Sequence, residues 1–425
     1  MKKITLFFFA LCLLAGCKTI GQVSQSVSNK LFADSVINSG FIGIAVYDTK
    51  NEKFLFEHNS TKYFTPASNL KLFSMYFAMK YLKDSVPGMY VQETADSTII
   101  FPAGDPTLLH PWYKSQPVMD YLSKTQKPIA AHYGNFRTSA WGSGWSWSDY
   151  DESYMNERSD IPVFGNNVVF SGNINQMQYY PLAAVTSLQK VAGPSKVSRE
   201  LHSNDFKLSL NEKRNEFVVP FITSPTLNFK ILSDTLHKPI VGSAAKMNGN
   251  VETIFSRHLD SVLVPMMHES DNFFAEQCLL MVSNKLLGYF STTDVIRQLI
   301  KNDLKEMPQT PQWADGSGLS RYNQISPKDF VWLLKQMKEE QPWERITAIL
   351  PTGGTGTLKN YYKGIPNKIF AKTGSLSNVI CLSGYLITEK NNTLIFSVLT
   401  NNAVGSGTAI RRAVQKFITQ LQKDN

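Results

Sequence analysis

Ser68 and Lys71 stand three residues apart in "TPASNLKLFSMYFAMKYL" (65–82), where an apolar stretch begins. On a helix that spacing puts the two side chains one turn apart in height and about 60° apart around the axis, close enough for an amine to take a hydroxyl proton. A serine hydroxyl is a poor nucleophile until a base removes its proton. A lysine does so only where desolvation or a neighbouring cation draws its pKa toward neutrality. The buried start of an apolar helix meets both needs, and its free N–H groups favour a developing anion. Two other short segments could join this pair. In "HESDNFFAEQ", Ser270, Asp271 and Asn272 interrupt two helical stretches; in "FAKTGSLSN", Lys372, Thr373 and Gly374 follow strand residues, with Ser375 next.

Singly these matches carry little. Ser-x-x-Lys recurs at Ser187 to Lys190 and at Ser243 to Lys246, but those copies run into turn formers, and only Ser68 opens a long apolar helix. Ser-x-Asn recurs at Ser171 to Asn173, whereas Lys-Ser/Thr-Gly occurs once. In this order, and at a helix start, an interhelical turn and a strand, the three form the set associated with class A β-lactamases and penicillin-binding proteins.

The elements that must position them follow from periodicity. In the opening helix Leu72, Met75, Tyr76 and Met79 recur at three and four residues and predict one buried face. Before it, "FIGIAVYDTKNEKFLFEHN" predicts two strands joined at Thr49 to Glu52. At the other end "KIFAKTG", "NVICLSGYLIT" and "NTLIFSVLTNN" predict three strands, followed by the helical "GTAIRRAVQKFITQLQK". One antiparallel sheet built from both chain ends is the economical arrangement. Residues 250–350 read as helical, with a Ser-Pro cap opening "SPKDFVWLLKQMKEE"; residues 91–245 read as inserted β-rich material, with runs such as "TIIF" and "EFVVPF". Trp141, Trp145 and Trp147 are expected to pack inside this insert.

At 425 residues the chain exceeds one ordinary core, and with 43% hydrophobic and 18% charged residues it is globular. The net charge of +9 is spread without an arginine cluster or nucleic-acid motif, so no nucleic-acid partner is expected. The seven histidines show no metal-ligand spacing, and neither metal nor cofactor is implied. Residues 1–16 have the form of a signal peptide, two lysines and then "ITLFFFALCLLAG". That run ends in "LAGC", which resembles the lipobox of bacterial lipoproteins, so Cys17 is expected to carry lipid and 17–30 to form a tether. The protein would then act in the periplasm on a membrane surface. Cys278 and Cys381, in apolar contexts, are expected to be buried free thiols.

Beyond the three motifs the sequence resembles the class C low-molecular-mass penicillin-binding proteins, the D-alanyl-D-alanine carboxypeptidase/endopeptidase family. The likeness is carried also by "GDPTL" (104–108), "GWSW" (144–147), "DGSGLSRYNQISP" (315–327) and "LPTGGTGTLKN" (350–360). It implies an α+β fold, a serine β-lactamase/transpeptidase-like domain in two parts (31–90 and 246–425) with β-rich domains inserted between the first two motifs. It implies peptidoglycan stem peptides as substrate and β-lactams as inhibitors. Ser68 would be the nucleophile and Lys71 the base; Ser270 would relay a proton to the leaving amine and Asn272 would hold the substrate amide. Lys372 and Thr373 would face the terminal carboxylate, and the N–H groups of Ser68 and Ser375 would form an oxyanion hole beside Gly374. A non-catalytic wall-binding lipoprotein and a β-lactamase are the alternatives within this fold. The first has no need of Lys71 or Lys372, and the second lacks a convincing deacylating glutamate.

Overall fold

The computed structural model describes residues 25–425 apart from 174, 211, 212 and 214; the expected signal peptide and Cys17 lie outside the described residues. The chain opens with α1 (Gln25–Phe32) and α2 (Ser35–Asn38). The expected tether therefore overlaps a helix, because Leu31 and Phe32 are apolar and pack on the sheet that follows.

That sheet is antiparallel throughout. Its strands are β1 (Phe41–Asp48) and β2 (Lys53–His58) from one end of the chain, and β14 (Ile369–Leu376), β15 (Val379–Ile387) and β16 (Thr393–Asn401) from the other, in the order β14-β15-β16-β1-β2. The β1–β2 turn is held by Asp48, whose Oδ1 accepts from the N–H groups of Lys50 (2.8 Å) and Asn51 (3.2 Å), as turn-forming aspartates do. Alternation sorts the side chains of β1 between two cores: Ile42, Ile44 and Val46 belong to the core that includes α11 (Gly407–Asp424), and Ala45 and Tyr47 to the core that includes α3 (Lys71–Leu82). With both faces covered, these strands read as continuous apolar runs.

Helix α3 lies at the centre of the larger core. Leu72, Phe73, Met75, Phe77, Ala78 and Met79 are all buried, so the expected single apolar face is corrected to burial all round. The cause is its surroundings, since it packs against α7 (Asn272–Leu287) and α9 (Pro327–Glu340) as well as the sheet. The Ser-Pro start of α9 is a complete capping box, with Ser326 and Asp329 each accepting from the other's backbone N–H. The remaining helices of this core are α6 (Asp260–His268), α8 (Thr292–Asn302) and α10 (Trp343–Ile349).

Between α3 and α6 lies the insert. Its largest sheet, β12-β5-β4-β3-β13, comprises β3 (Ser85–Glu93), β4 (Thr98–Pro102), β5 (Ile129–His132), β12 (Ile240–Ser243) and β13 (Glu252–His258), and mixes parallel with antiparallel pairs. Its first and last strands along the chain, β3 and β13, reach beyond the 91–245 interval; Pro87 and Gly88 obscure the strand pattern of β3. Two three-stranded sheets complete it, one of β6 (Asn167–Gly172), β7 (Met177–Tyr180) and β11 (Asn215–Pro220), the other of β8 (Ser187–Lys190), β9 (Lys196–Arg199) and β10 (Asp205–Ser209). The insert also carries α4 (Pro117–Lys124) and α5 (Pro225–Leu236), and its apolar residues form one core of their own around Ile100, Phe170 and Phe206. Ser187 and Lys190 lie on β8, and Ser243 ends β12, so neither spare Ser-x-x-Lys is helical. Cys278 and Cys381 are buried and unbridged. No helix among the described residues is long and apolar enough to cross a membrane.

Candidate active site

Ser68 sits in a 3-10 turn, Ala67–Leu70, that runs into α3 at Lys71. Ala67 has φ of 48°, a left-handed conformation unusual outside glycine. Asn69, fully buried, ties this turn to the sheet through Nδ2, which donates to Ser383 Oγ at 2.8 Å. Lys71 is also fully buried, and its Nζ has three neighbours: Asn272 Oδ1 at 2.7 Å, the Ser317 carbonyl at 2.8 Å and Ser68 Oγ at 3.0 Å. Burial lowers its pKa from 10.5 to about 8, against the opposing pull of Asp315, Asp271 and Glu276. A neutral amine has two protons and one lone pair. The two shorter contacts go to carbonyl oxygens that can only accept, so the lone pair is left for the Ser68 hydroxyl.

The second motif forms the bend between α6 and α7. Asp271 caps α7 by accepting from the Phe274 N–H at 2.8 Å, and Ser270 before it is held at φ of 60°. A left-handed serine is a strained residue of the kind that clusters at functional sites. The bend sends the two flanking side chains to different lysines: Asn272 to Lys71, and Ser270 Oγ to Lys372 Nζ at 2.9 Å. Asn272 is oriented from behind, its Nδ2 donating to the Tyr154 carbonyl at 3.1 Å. Lys372 is fully buried and also donates to the Thr373 carbonyl at 2.9 Å; burial first, then the Lys71 charge, pushes its pKa well down.

Strand β14 passes so close to the 3-10 turn that a Cβ on Gly374 would stand 2.5 Å from the Pro66 carbonyl oxygen and 3.0 Å from the Asn69 nitrogen. Only glycine fits. Ser68, Ser270, Asn272 and Ser375 line one cleft of about 700 Å³, with Asp149 and Tyr154 from the insert and Arg321 among its other walls. Thr373 differs from the other expected site residues. It lines a separate small cavity with Tyr362, Leu382 and Arg411.

The sequence reading missed the residues that hold this constellation. Glu276, four residues beyond Asn272 and buried, accepts through Oε1 from the N–H groups of Gly316 (2.9 Å) and Ser317 (2.8 Å), fixing the carbonyl that receives Lys71. Its Oε2 meets Arg158 of the insert at 3.3 Å in a fully buried ion pair, and Arg158 also donates to Thr292 Oγ1 and to the carbonyls of Ser139 and Trp141. Asp315 accepts from the N–H groups of Gly318 and Ser320, from Asn323 and from Trp145 Nε1. Trp145 thus reaches out of the insert instead of packing within it, and Trp147 is 71% exposed, both corrections to the expected internal packing. "SDNFFAE" and "DGSG" were visible as motifs, but nothing in either shows that Glu276 of one binds the backbone of the other.

Residues 239–424 match the D-Ala-D-Ala carboxypeptidase 3 (S13) family. The chain is 23% identical to penicillin-sensitive carboxypeptidase A of Dictyostelium discoideum, over 89% of its own length and 86% of the relative's. It is 22% identical to the D-alanyl-D-alanine carboxypeptidase of Actinomadura sp. (strain R39), over 88% and 80% respectively. Among solved structures, penicillin binding protein 4 of Haemophilus influenzae has the same fold, with a TM-score of 0.75 at 18% identity, covering 93% of this chain and 99% of that one.

Proposed function

We propose that the chain is a member of the D-Ala-D-Ala carboxypeptidase 3 (S13) family, which its residues 239–424 match, and that its own residues carry out the reaction as follows. It is a serine-type D-alanyl-D-alanine carboxypeptidase that acts on peptidoglycan stem peptides through an acyl-enzyme and is inhibited by penicillin. The observation that carries the residue assignment is the set of Lys71 contacts, in which two carbonyl oxygens occupy the amine's protons and leave Ser68 Oγ opposite its lone pair.

Neutral Lys71 takes the Ser68 proton as Oγ bonds to the carbonyl carbon between the two D-alanines. The oxyanion is received by the N–H groups of Ser68 and Ser375, which the close approach of β14 to the 3-10 turn favours. As the C–N bond breaks, the leaving amine needs a proton. Ser270 Oγ supplies it and is reprotonated from Lys372 Nζ, 2.9 Å away. Water then adds to the acyl carbon, its proton passing through Ser270 Oγ to Lys372, and Ser68 leaves as the hydroxyl as Lys71 returns its proton. Asn272 holds the substrate amide while its own orientation is fixed by Lys71 and Tyr154.

The test is release of one D-alanine from a soluble pentapeptide ending in D-Ala-D-Ala. Ser68→Ala abolishes both that release and covalent labelling by a fluorescent penicillin while the melting temperature stays within a few degrees; labelling of the variant would transfer the nucleophile's role elsewhere. The "LAGC" run supports lipid on Cys17 and attachment to a periplasmic membrane face. Cys17→Ala is expected to move the protein from the membrane to the soluble fraction, and unchanged sedimentation with membranes would remove the anchor.

A further inference from the structure

The sheet of β7, β6 and β11 has one covered face and one open one. Val168, Phe170 and Val219 belong to the core of the insert, so alternation turns Val169, Ser171 and their cross-strand partners to the other side. Pairing sets these in two rows, Val218, Val169 and Tyr180 in one, Glu216, Ser171 and Gln178 in the next. Cavities of about 630 and 560 Å³ lie over this face, and because Val169 and Tyr180 line both, they form one groove across three strands. The groove extends to Ser153 and Asp271. Their neighbours in the chain, Tyr154 on one side and Ser270 and Asn272 on the other, line the cleft that holds Ser68. Consecutive residues of two segments thus line groove and cleft in turn.

Two rings give the groove its apolar surface. Trp112 and Tyr180 are 55% and 49% exposed, and each is fixed in a T-shaped contact with a buried ring, Trp112 with Phe274 at 5.8 Å between centroids and Tyr180 with Phe164 at 4.6 Å. Around them stand polar groups that the protein does not use. The Tyr180 hydroxyl, the Glu216 carboxylate and the Gln178 amide make no hydrogen bond or ion pair with any described residue. Asn167 Oδ1 is buried without a partner, a state that a ligand donor would relieve. Among the described residues no lysine or arginine lines the groove, and Glu216 and Asp271 make it unsuited to phosphates. His110, which also lines it, is neutral, because burial and then the Arg257 charge lower its pKa to about 4. Fixed aromatic faces beside unpaired planar polar groups suit sugar rings. The C–H face of a pyranose lies on the negative face of the aromatic ring, and hydroxyl and acetamido groups at its edge reach the carboxylate and amides.

We infer that this groove binds the glycan strand of peptidoglycan, holding uncharged N-acetylated sugars on Trp112 and Tyr180 while a stem peptide occupies the cleft. The choice of polymer rests on the carboxypeptidase reading. A pentapeptide spans at most about 17 Å, so the sugar that carries it stays close to the cleft, where the groove begins. With its lactyl carboxyls in amide linkage to peptides the glycan carries no charge, in keeping with a groove that offers no cation.

The experiment has two readouts. Binding of tetra-N-acetylchitotetraose, an uncharged stand-in for the glycan, is followed by tryptophan fluorescence; release of D-alanine is compared on uncross-linked glycan strands bearing pentapeptides and on the soluble pentapeptide. Native protein binds the tetrasaccharide and has the higher kcat/KM per stem peptide on the glycan-linked substrate. In Tyr180→Ala the binding weakens by about tenfold, the usual loss for an aromatic anchor, and the glycan-over-soluble ratio of kcat/KM falls with it. Tyr180 also packs on Phe164, so the second variant is Val218→Lys, which lays a long side chain across the groove from an exposed strand position and gives the same two losses. No binding to native protein overturns the inference. So does binding as tight in both variants as in native, or a ratio of kcat/KM that neither variant changes. If native protein releases no D-alanine from either substrate, the carboxypeptidase reading fails by itself, and tetrasaccharide binding with its loss in the two variants still decides whether the groove takes sugars.

Discussion

Two carbonyl oxygens, those of the Asn272 side chain and of the Ser317 backbone, hold Lys71 in the orientation its chemistry needs, and burial sets its charge. In its proposed role as base for Ser68 the lysine must be neutral. With its pKa lowered to about 8, the neutral fraction climbs roughly tenfold per pH unit below that value and levels off above it. The acylation rate with a penicillin, measured by stopped flow from pH 6 to 9.5, should rise and flatten in the same way. Lys71→Arg should lose about a thousandfold or more and show no plateau, because a guanidinium does not give up its proton in this range. The same shift acts on stability. Between about 8 and 10.5 the unfolded chain binds a proton that the folded one does not, so the native state gains stability as pH rises through that window. The grouping of Ser68, Lys71, Ser270, Asn272 and Lys372 was legible in the sequence, because each stands in a segment of a few residues whose local structure is set by its neighbours. Arg158 was not, since its pairing with Glu276 spans 118 residues and exists only once two domains have packed.

The close pass of β14 over the 3-10 turn is a property of two elements, and Gly374 is where they meet. Gly374→Ala places a methyl group against the Pro66 carbonyl. The strand must shift by several tenths of an ångström, and the Ser375 N–H moves with it. We expect penicillin acylation to slow by about a hundredfold, the usual cost of losing an oxyanion donor, with little change in the circular dichroism spectrum. Native acylation in this variant would mean that Ser375 N–H is not such a donor. The strands of the main sheet and their pairing from both chain ends could be foreseen, since continuous apolar runs between turn residues specify buried strands. The all-round burial of α3 could not: periodicity shows which face is apolar, and Phe73 and Phe77 fill the remaining face only because another helix covers it. Parallel pairs such as β4 with β5 and β5 with β12 were likewise hidden, as alternation is the same in either direction.

At the scale of the whole molecule, the insert braces the site. Arg158 crosses from the insert to Glu276, Trp145 to Asp315, and the Tyr154 carbonyl to Asn272. Arg158→Met leaves the Glu276 carboxyl buried without its cation. Removing one partner of such a pair typically costs about 3–5 kcal/mol, so we expect a clear fall in the urea midpoint together with slower acylation, as the Gly316–Ser317 backbone loses its anchor. A variant as stable as native would show that the ion pair contributes no net stability. The insert was recognisable from composition as a separate, β-rich body. Its bracing contacts were not, because a tryptophan bound to an aspartate 170 residues away leaves no mark on local pattern.

The catalytic sheet joins the two ends of the chain, with Thr49 and Thr393 hydrogen bonded across 344 residues. A ribosome delivers the serine long before the strand that completes its pocket. Until then the hydroxyl has a lysine neighbour in sequence but no dry pocket to neutralise it, so a nascent or truncated polypeptide cannot be acylated. Under the proposed mechanism, chemical competence waits on the arrival of β14, and so distant a strand pairing closes slowly.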